Sequence, residues 1–393
     1  MTSKLSFQLA LLVALVLFSP LGIDLYLPAL PDIANEFHVE HTLAQDTITW
    51  FLFAMGIGQL VAGPLADKWG RRTIGLMGIS VFGLSALAAW YAYSIDSLLI
   101  ARLLQGFGAC ATSVAAFATV RDRFGPEKSG QMISYLNGAI CVIPALAPIL
   151  GSFLTQWFDW RANFAFMALF SLVVGAVMCA FFKETNPQKA VGPIFKPTRY
   201  WSVLKVPSFV FHASLCLLAM SVILAYVTNA PVVLMERMGL SMSEFTFWFG
   251  CNAVLNIIAC LVAPKCIQRW GAHKTITVGV ISLGFSGVVM LLLSPWQTPF
   301  GFMLPIFMSS WGFAWVLGAS AGKALEAFGD KAGTAAALLG VFQMSGAGLL
   351  VGLIQRVDWP AEIMIAGHMW LIVPSLLVLW SKTGRGWHWQ QSH

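Results

Sequence analysis

Charge in this chain is confined to short breaks between long apolar runs, and no other feature so narrows what it can fold into. A helix that crosses a bilayer needs about 20 mostly apolar residues, and runs of that length recur along all 393 residues. They mark twelve spans, at 7–29, 45–66, 73–93, 97–120, 132–156, 162–182, 208–231, 245–266, 274–294, 299–322, 333–355 and 361–381. The runs are continuous, without period-two alternation, which predicts helices and not a barrel. Charged residues make up only 10% of the chain, against roughly a quarter in soluble domains, and mean hydropathy is +0.77. The expected fold class is an all-α integral membrane protein.

Basic residues set the orientation. With the N-terminus in the cytoplasm, every Lys and Arg except Arg102, Arg161, Arg237 and Arg356 falls on the cytoplasmic side. Both termini are then cytoplasmic, and the net charge of +6 serves topology rather than nucleic-acid binding. Lys4 before an apolar stretch has the start of a secretory signal. The run continues through Pro20-Leu21-Gly22-Ile23-Asp24 without an Ala-x-Ala site, however, so a retained first helix is expected. Cys110, Cys141, Cys179, Cys216, Cys251, Cys260 and Cys266 lack metal-type spacing. Packing is their expected role, with no metal site and no disulfide.

The longest polar break, basic and Pro-bearing, lies at 184–207, with six spans on each side. This predicts an N-terminal bundle at 1–183, a cytoplasmic linker at 184–207, a C-terminal bundle at 208–382 and a tail at 383–393. An internal repeat supports the division. Lys68-Trp69-Gly70 is echoed by Arg269-Trp270-Gly271, each preceded by a proline, Pro64 and Pro264. Gln268 stands where Asp67 would be.

Asp24 is read as the only acid within an apolar span and Arg102 as the only buried base. Charge at membrane depth is costly and marks ion or substrate pathways. Asp24 lies near the end of the first span and Arg102 near the start of the antiparallel fourth, which puts them at a common depth. The expectation is a switchable ion pair with Asp24 as the protonation site. Displacing Arg102 would change how firmly the carboxyl holds its proton. A static pair, or a charge in the interface, is the alternative. Arg102, Gln105 and Gly106 share a helix face, and Gly106 with Gly108 lets a neighbouring helix come close. An interhelical hydrogen bond is the plainer role for Gln105.

The segment Gly63-Pro64-Leu65-Ala66-Asp67-Lys68-Trp69-Gly70-Arg71-Arg72 interrupts two apolar runs, and Gly70 permits the tight turn. It resembles the loop between the second and third helices of the major facilitator superfamily, G-x-L-x-D-[RK]-x-G-R-[RK], at every fixed position. Arg102-Leu103-Leu104-Gln105-Gly106-Phe107-Gly108 looks like that superfamily's fourth-helix R-x-x-Q-G-x-G element, which is linked to proton coupling. In the fifth span, Asn137-Gly138 precedes Ile143-Pro144-Ala145-Leu146-Ala147-Pro148-Ile149-Leu150-Gly151. Prolines four apart bend a helix and free carbonyls. The stretch resembles the antiporter element of exporters, except that Ala147 replaces its glycine and Gly151-Ser152 closes it early. This form, with Gly22-Ile23-Asp24-Leu25-Tyr26-Leu27-Pro28-Ala29-Leu30-Pro31 and Arg121-Asp122, looks like Bcr/CflA-type drug exporters. The likeness covers most of residues 20–160, and the second half matches in span pattern alone.

The resemblance implies the major facilitator fold, two pseudo-symmetric six-helix bundles with a midplane site and alternating access. It implies a conformational latch of Gly63, Asp67, Gly70, Arg71 and Arg72, with Asp67 engaging the positive N-terminal end of the eleventh helix near Gly333. A topology anchor is the alternative. Asn137, Pro144, Pro148 and Gly151 would form the antiporter-helix motif. The implied function is proton-coupled efflux of small, largely apolar drugs across a bacterial inner membrane. Its implied partners are a drug-like molecule, protons and lipid, with the proton gradient in place of any cofactor, no nucleic acid, and a monomeric chain. Tyr26, Tyr226, Asn229, Asn252, Asn256, Trp311, Trp315 and Gln343 are candidate substrate contacts, each equally readable as packing. His212 and His368 read as structural. Leu15-Val16-Leu17 is apolar where some multidrug members carry a second acid, which disfavours divalent cations. A proton-coupled transporter of one metabolite is the alternative function. An enzyme lacks a nucleophile–base or metal constellation here, ATP-driven transport lacks a phosphate-cradling loop, and a sensor or scaffold would be expected to carry a sizeable soluble extension.

Overall fold

In lipid each backbone N–H and C=O must find its partner within the protein, and helices are the only regular structure among the described residues. The computed structural model describes residues 2–185, 197–328, 331–357 and 359–389, with backbone alone at 2–6, 125–131, 134, 135, 137, 138, 141, 388 and 389. Positions 186–196 of the linker expected at 184–207, and the last four of the tail, lie outside the described residues. Among the described residues, ten helices are long and apolar enough to cross a membrane. One of them, Met242–Trp296, joins two spans across Gly271, and Val142–Trp157 is a further, shorter apolar helix. Together these account for twelve crossings. The chain divides into two compact units, Met1–Lys196 and Pro197–His393.

The first unit comprises α1 (Thr2–Asp24), a 3-10 turn at Leu27–Ala29, α2 (Leu30–Glu36), α3 (His41–Trp69), α4 (Arg71–Trp90), α5 (Ile95–Trp157) and α6 (Arg161–Phe181). The first span is broken between α1 and α2. Pro28 has no N–H for the Asp24 carbonyl, and Pro31 has none for Leu27, so the i to i−4 ladder fails at Leu25–Tyr26. Separate spans expected at 97–120 and 132–156 appear instead as one 63-residue helical run, α5. Straight, it would reach about 95 Å, some three bilayer cores. Yet Arg102 bonds to Gly22, and Gly151 closes on Leu25. The two ends therefore return to one level and cross the membrane in opposite directions. The connection between them is helical where the sequence suggested a loop.

The second unit comprises α7 (Pro197–Leu204), α8 (Pro207–Pro231) with a π turn at Val232–Arg237, α9 (Met242–Leu293), α10 (Pro299–Leu325) and α11 (Ala332–Gly340). A π turn at Val341–Gly346, then α12 (Ala347–Ile354), α13 (Ala361–Leu371), α14 (Ser375–Trp380) and α15 (Lys382–Trp389) complete it. Spans expected at 245–266 and 274–294 are both in α9, which bends at Gly271 (φ 79°, ψ 160°). Gly70 between α3 and α4 has nearly the same conformation (φ 101°, ψ 156°), one that only glycine adopts freely. The repeat continues in register: the separation of Gly70 from Gly271 recurs from Gly78 to Gly279 and from Gly83 to Gly284. A Cβ on Gly78 would lie 2.9 Å from the Gly108 carbonyl, and one on Gly279 3.0 Å from that of Gly312. Glycine meets glycine where α4 crosses α5, and again where α9 crosses α10.

Candidate functional site

Buried polar groups of the first unit gather at the break in its first span. Arg102 is fully buried. Its guanidinium donates to the carbonyls of Gly22 at 2.5 Å and Thr47 at 3.3 Å, and to Gln105 Oε1. It also lies over the rings of Tyr26 and Phe51, 4.6 and 4.4 Å from their centroids, contacts favourable to a desolvated cation. The Thr47 hydroxyl donates to the Ala44 carbonyl at 2.6 Å, which leaves the Tyr26 hydroxyl to donate to Thr47 Oγ1 at 2.8 Å. Gln105 Nε2 in turn donates to Met167 Sδ at 3.3 Å. In an unbroken helix the Gly22 carbonyl would accept the Tyr26 N–H. Here Arg102 takes that place and caps α1 at the negative end of its dipole. Two glycines let the fourth span close on α3 and the fifth span close on the break. A Cβ on Gly106 would sit 2.2 Å from the Phe51 carbonyl oxygen, and one on Gly151 1.6 Å from that of Leu25.

Asp24 is the last residue of α1 and 5% exposed. Its carboxyl has no hydrogen bond or ion pair among the described residues. The expected ion pair with Arg102 is thus not formed in this structure. In its place the break frees the Gly22 carbonyl, and this and the Thr47 carbonyl, with Gln105 Oε1, take up the guanidinium donors. Asp24 and Gly22 nonetheless belong to one helical turn. The acid inventory also needs correction: Asp46 in α3, next to Thr47, is 8% exposed, and Glu362 in α13 is 3% exposed. Both lie at span ends, where nothing in the sequence marks an acid as buried.

At the opposite end of the unit, four of the five predicted latch residues come together. Arg71 Nη1 is 2.6 Å from Asp67 Oδ1, and Arg71 Nε is 2.9 Å from Asp122 Oδ2. The Glu184 carboxylate accepts the backbone N–H groups of Arg71 at 2.9 Å and Arg72 at 3.1 Å. Arg72 Nη2 donates to the Cys179 carbonyl at 2.9 Å. The Gly70 turn is therefore tied to the end of the fourth span and to the end of the sixth. Glu184 satisfies two N–H groups at the start of α4 that no helical carbonyl can reach, and its charge suits that end of the dipole. Sequence reasoning missed it; the available signal was an acid directly after an apolar span. Gly63 stands apart, facing open space.

Of the antiporter-helix residues, Pro144 is half-buried while Pro148 and Gly151 are buried. The Asn137 side chain lies outside the described residues. Beside Gly151, Asn163 Nδ2 donates to Thr155 Oγ1 at 2.8 Å and to the Trp160 carbonyl at 3.1 Å. In the second unit, Tyr226 stacks on Phe249 with centroids 5.6 Å apart. Asn229 Nδ2 donates to the Ala225 carbonyl at 2.8 Å, and Asn252 Oδ1 accepts the Ser310 hydroxyl at 2.9 Å. Asn256 Oδ1 accepts the Cys260 thiol at 3.6 Å. Trp311 and Trp315 meet at 6.0 Å. Gln343 lies in the π turn Val341–Gly346, an irregularity often found at functional sites. His212 and His368 direct Nδ1 at the carbonyls of Ser208 and Met364, at 2.7 and 2.8 Å.

Comparison with known proteins agrees with this architecture. The family model described as Major Facilitator Superfamily matches residues 12–351. A chloramphenicol resistance protein of Pseudomonas aeruginosa is 30% identical over 382 residues, covering 92% of this chain and 90% of the relative. Multidrug resistance protein MdtL of Salmonella paratyphi B is 30% identical over 372 residues, covering 94% and 93%. Among solved structures, a D-xylose-proton symporter aligns with a TM-score of 0.77 at 15% identity, covering 95% of this chain and 97% of that one. The peptide transporter POT aligns at 0.78 with 14% identity, covering 96% and 95%. At such identities these structures speak to fold alone. With the family model matching most of its length, the chain belongs to the Major Facilitator Superfamily and is a multi-pass membrane transporter, not an enzyme.

Proposed function

We propose that this transporter expels small, largely apolar drugs in exchange for protons, by alternating access, in a bacterial inner membrane with both chain termini cytoplasmic. The observation that carries the reading is Asp24, a buried acid without a partner among the described residues, in the helical turn whose Gly22 carbonyl is held by buried Arg102. An ionised Asp24 competes with that carbonyl for the guanidinium, and a protonated one leaves Arg102 on the backbone. Proton arrival and departure thereby make or release the cap on α1, and the hinge at Leu25–Tyr26 responds. The drug specificity is supported by the two relatives, named for chloramphenicol and multidrug resistance.

The energetics suffice without a cofactor. One proton crossing 100 mV releases about 2.3 kcal/mol, and a tenfold pH difference adds about 1.4 kcal/mol. One-for-one exchange then sustains a drug gradient of a few hundredfold, on the scale of about 1.4 kcal/mol per factor of ten. Asp67, Arg71 and Arg72 serve as the conformational latch in this scheme, on a monomer whose only other partners are drug, proton and lipid. Tyr226, Asn229, Asn252, Trp311 and Gln343 offer the mix of aromatic surface and few polar groups that poorly specific binding requires. Drug susceptibility of a pump-deficient host expressing the chain tests the reading, with chloramphenicol as first probe. Raised resistance that a protonophore removes supports it. Unchanged susceptibility across a drug panel, or resistance indifferent to the protonophore, refutes it.

A further inference from the structure

Two ion pairs, one in each unit, occupy equivalent places in the internal repeat. In the first unit α2 ends on Glu36 and α6 begins with Arg161, and Arg161 Nη1 lies 2.6 Å from Glu36 Oε1. The same carboxylate accepts the Trp160 indole N–H. Arg161 Nη2 also donates to the Ala92 carbonyl at 3.1 Å, in the connection between α4 and α5. In the second unit the π turn ends on Arg237, and Glu362 lies in the first turn of α13; Arg237 Nη1 is 3.0 Å from Glu362 Oε2. Arg237 Nη2 donates to Gln297 Oε1 at 3.2 Å, between α9 and α10, and Gln297 Nε2 donates to Glu362 Oε1 at 3.4 Å.

Glu36 and Arg237 are separated by the same stretch of chain as Gly70 and Gly271, and so are Arg161 and Glu362. Each pair joins the end of a unit's first span to the start of its sixth, and in each the base also reaches the connection between the third and fourth. The charges, however, have changed places. The base is on the sixth span in the first unit and on the first span in the second.

We infer that Glu36–Arg161 and Arg237–Glu362 are one clamp built twice with reversed polarity, a pair of positioning devices that neither carry protons nor touch substrate. A residue that handled a proton or a drug would need its charge at one place. A clamp needs only that the two charges be opposite. In the first unit the clamp pins α2 to α6, so movement at the Leu25–Tyr26 break is taken up by α1. The transport arm of the test below rests on the proposed function, whereas the melting arm does not.

The experiment compares the parent, the single reversals Glu36→Arg, Arg161→Glu, Arg237→Glu and Glu362→Arg, and the two double reversals within a unit. Glu36→Gln and Glu362→Gln serve as milder variants should a reversal fail to fold. Each single reversal places like charges together and is expected to lower the melting temperature by about 3 °C or more. Glu362→Arg and Arg237→Glu should be the most damaging, because each leaves the buried position 362 with an uncompensated charge. Each double reversal is expected to recover most of the melting temperature that its single reversals lose, the first-unit pair forgoing the Trp160 and Ala92 bonds, and to recover resistance within about twofold, because coupled sites compensate. Double reversals as damaged as the singles overturn the inference. So do single reversals, or glutamine variants, that match the parent in both readouts. Recovery of melting without recovery of resistance also overturns it, since a particular charge would then serve transport. If the parent itself confers no resistance, the melting data still decide the clamp while the proposed function fails.

Discussion

Replacing Gly151 by alanine tests whether the fifth span truly rests against the broken first helix. The new Cβ would sit 1.6 Å from the Leu25 carbonyl oxygen, where ordinary carbon–oxygen contact is about 3.3 Å. One of the two segments must retreat by about 1.7 Å to restore that contact, and the oxygen belongs to the break itself. Overpacking of this kind costs about 1–3 kcal/mol. At about 2–4 °C per kcal/mol for a unit of this size, the melting temperature should fall by roughly 2–12 °C. Gly63→Ala is the matched control. It meets nothing within 4 Å, and alanine gains up to about 1 kcal/mol of helix propensity, so its melting temperature should hold or rise. The assay is thermal unfolding of purified protein in detergent at one fixed scan rate, because membrane proteins often unfold irreversibly. Resistance is measured alongside. A Gly151→Ala protein that melts and transports like the parent would falsify the close approach from which the site is built.

Arg102→Lys keeps the charge but cannot serve three separated acceptors as a guanidinium does. At least one of Gly22, Thr47 and Gln105 then loses its donor, at about 1–3 kcal/mol each; melting should fall accordingly and drug–proton exchange should be lost, whereas a lysine variant with parental exchange contradicts the cap on α1. Glu184→Gln can no longer offer two carboxylate oxygens to the N–H groups of Arg71 and Arg72. A loss of about 0.5–1 kcal/mol is expected, smaller in high salt because the site is exposed; melting at two ionic strengths checks it, and an effect independent of salt would assign Glu184 a role other than charge.

The spans were legible because lipid enforces them: a chain that cannot hydrogen-bond to its solvent must write its helices as apolar runs. The repeat was legible at Trp69-Gly70 and Trp270-Gly271 because the conformation there requires glycine. Its continuation through Gly78 and Gly279 was equally present in the sequence, but unconstrained spacing between glycines means little until a helix crossing is known. The helix break was written in Pro28 and Pro31 and went unused as such. Arg102 and Gln105 were found as candidates, while two of the partners of Arg102, the Gly22 and Thr47 carbonyls, were not. A sequence displays side chains, so Asp24 stood out as the counter-charge, whereas the carbonyls of Gly22 and Thr47 are anonymous until folding frees and aims them. Glu184 was missed for the same reason, since its partners are the backbone N–H groups of Arg71 and Arg72. Asp46 and Glu362 each lie at a span end, where sequence cannot tell a buried acid from a solvated one.

Drug-driven proton movement in proteoliposomes, compared between the parent and Asp24→Asn, bears most directly on the coupling scheme. Asparagine keeps the size of the side chain and removes its titratable proton. The account predicts that chloramphenicol, or whichever drug the host assay identifies, drives proton flux through the parent and none through Asp24→Asn, while the variant still binds that drug. Parental flux through Asp24→Asn would contradict it.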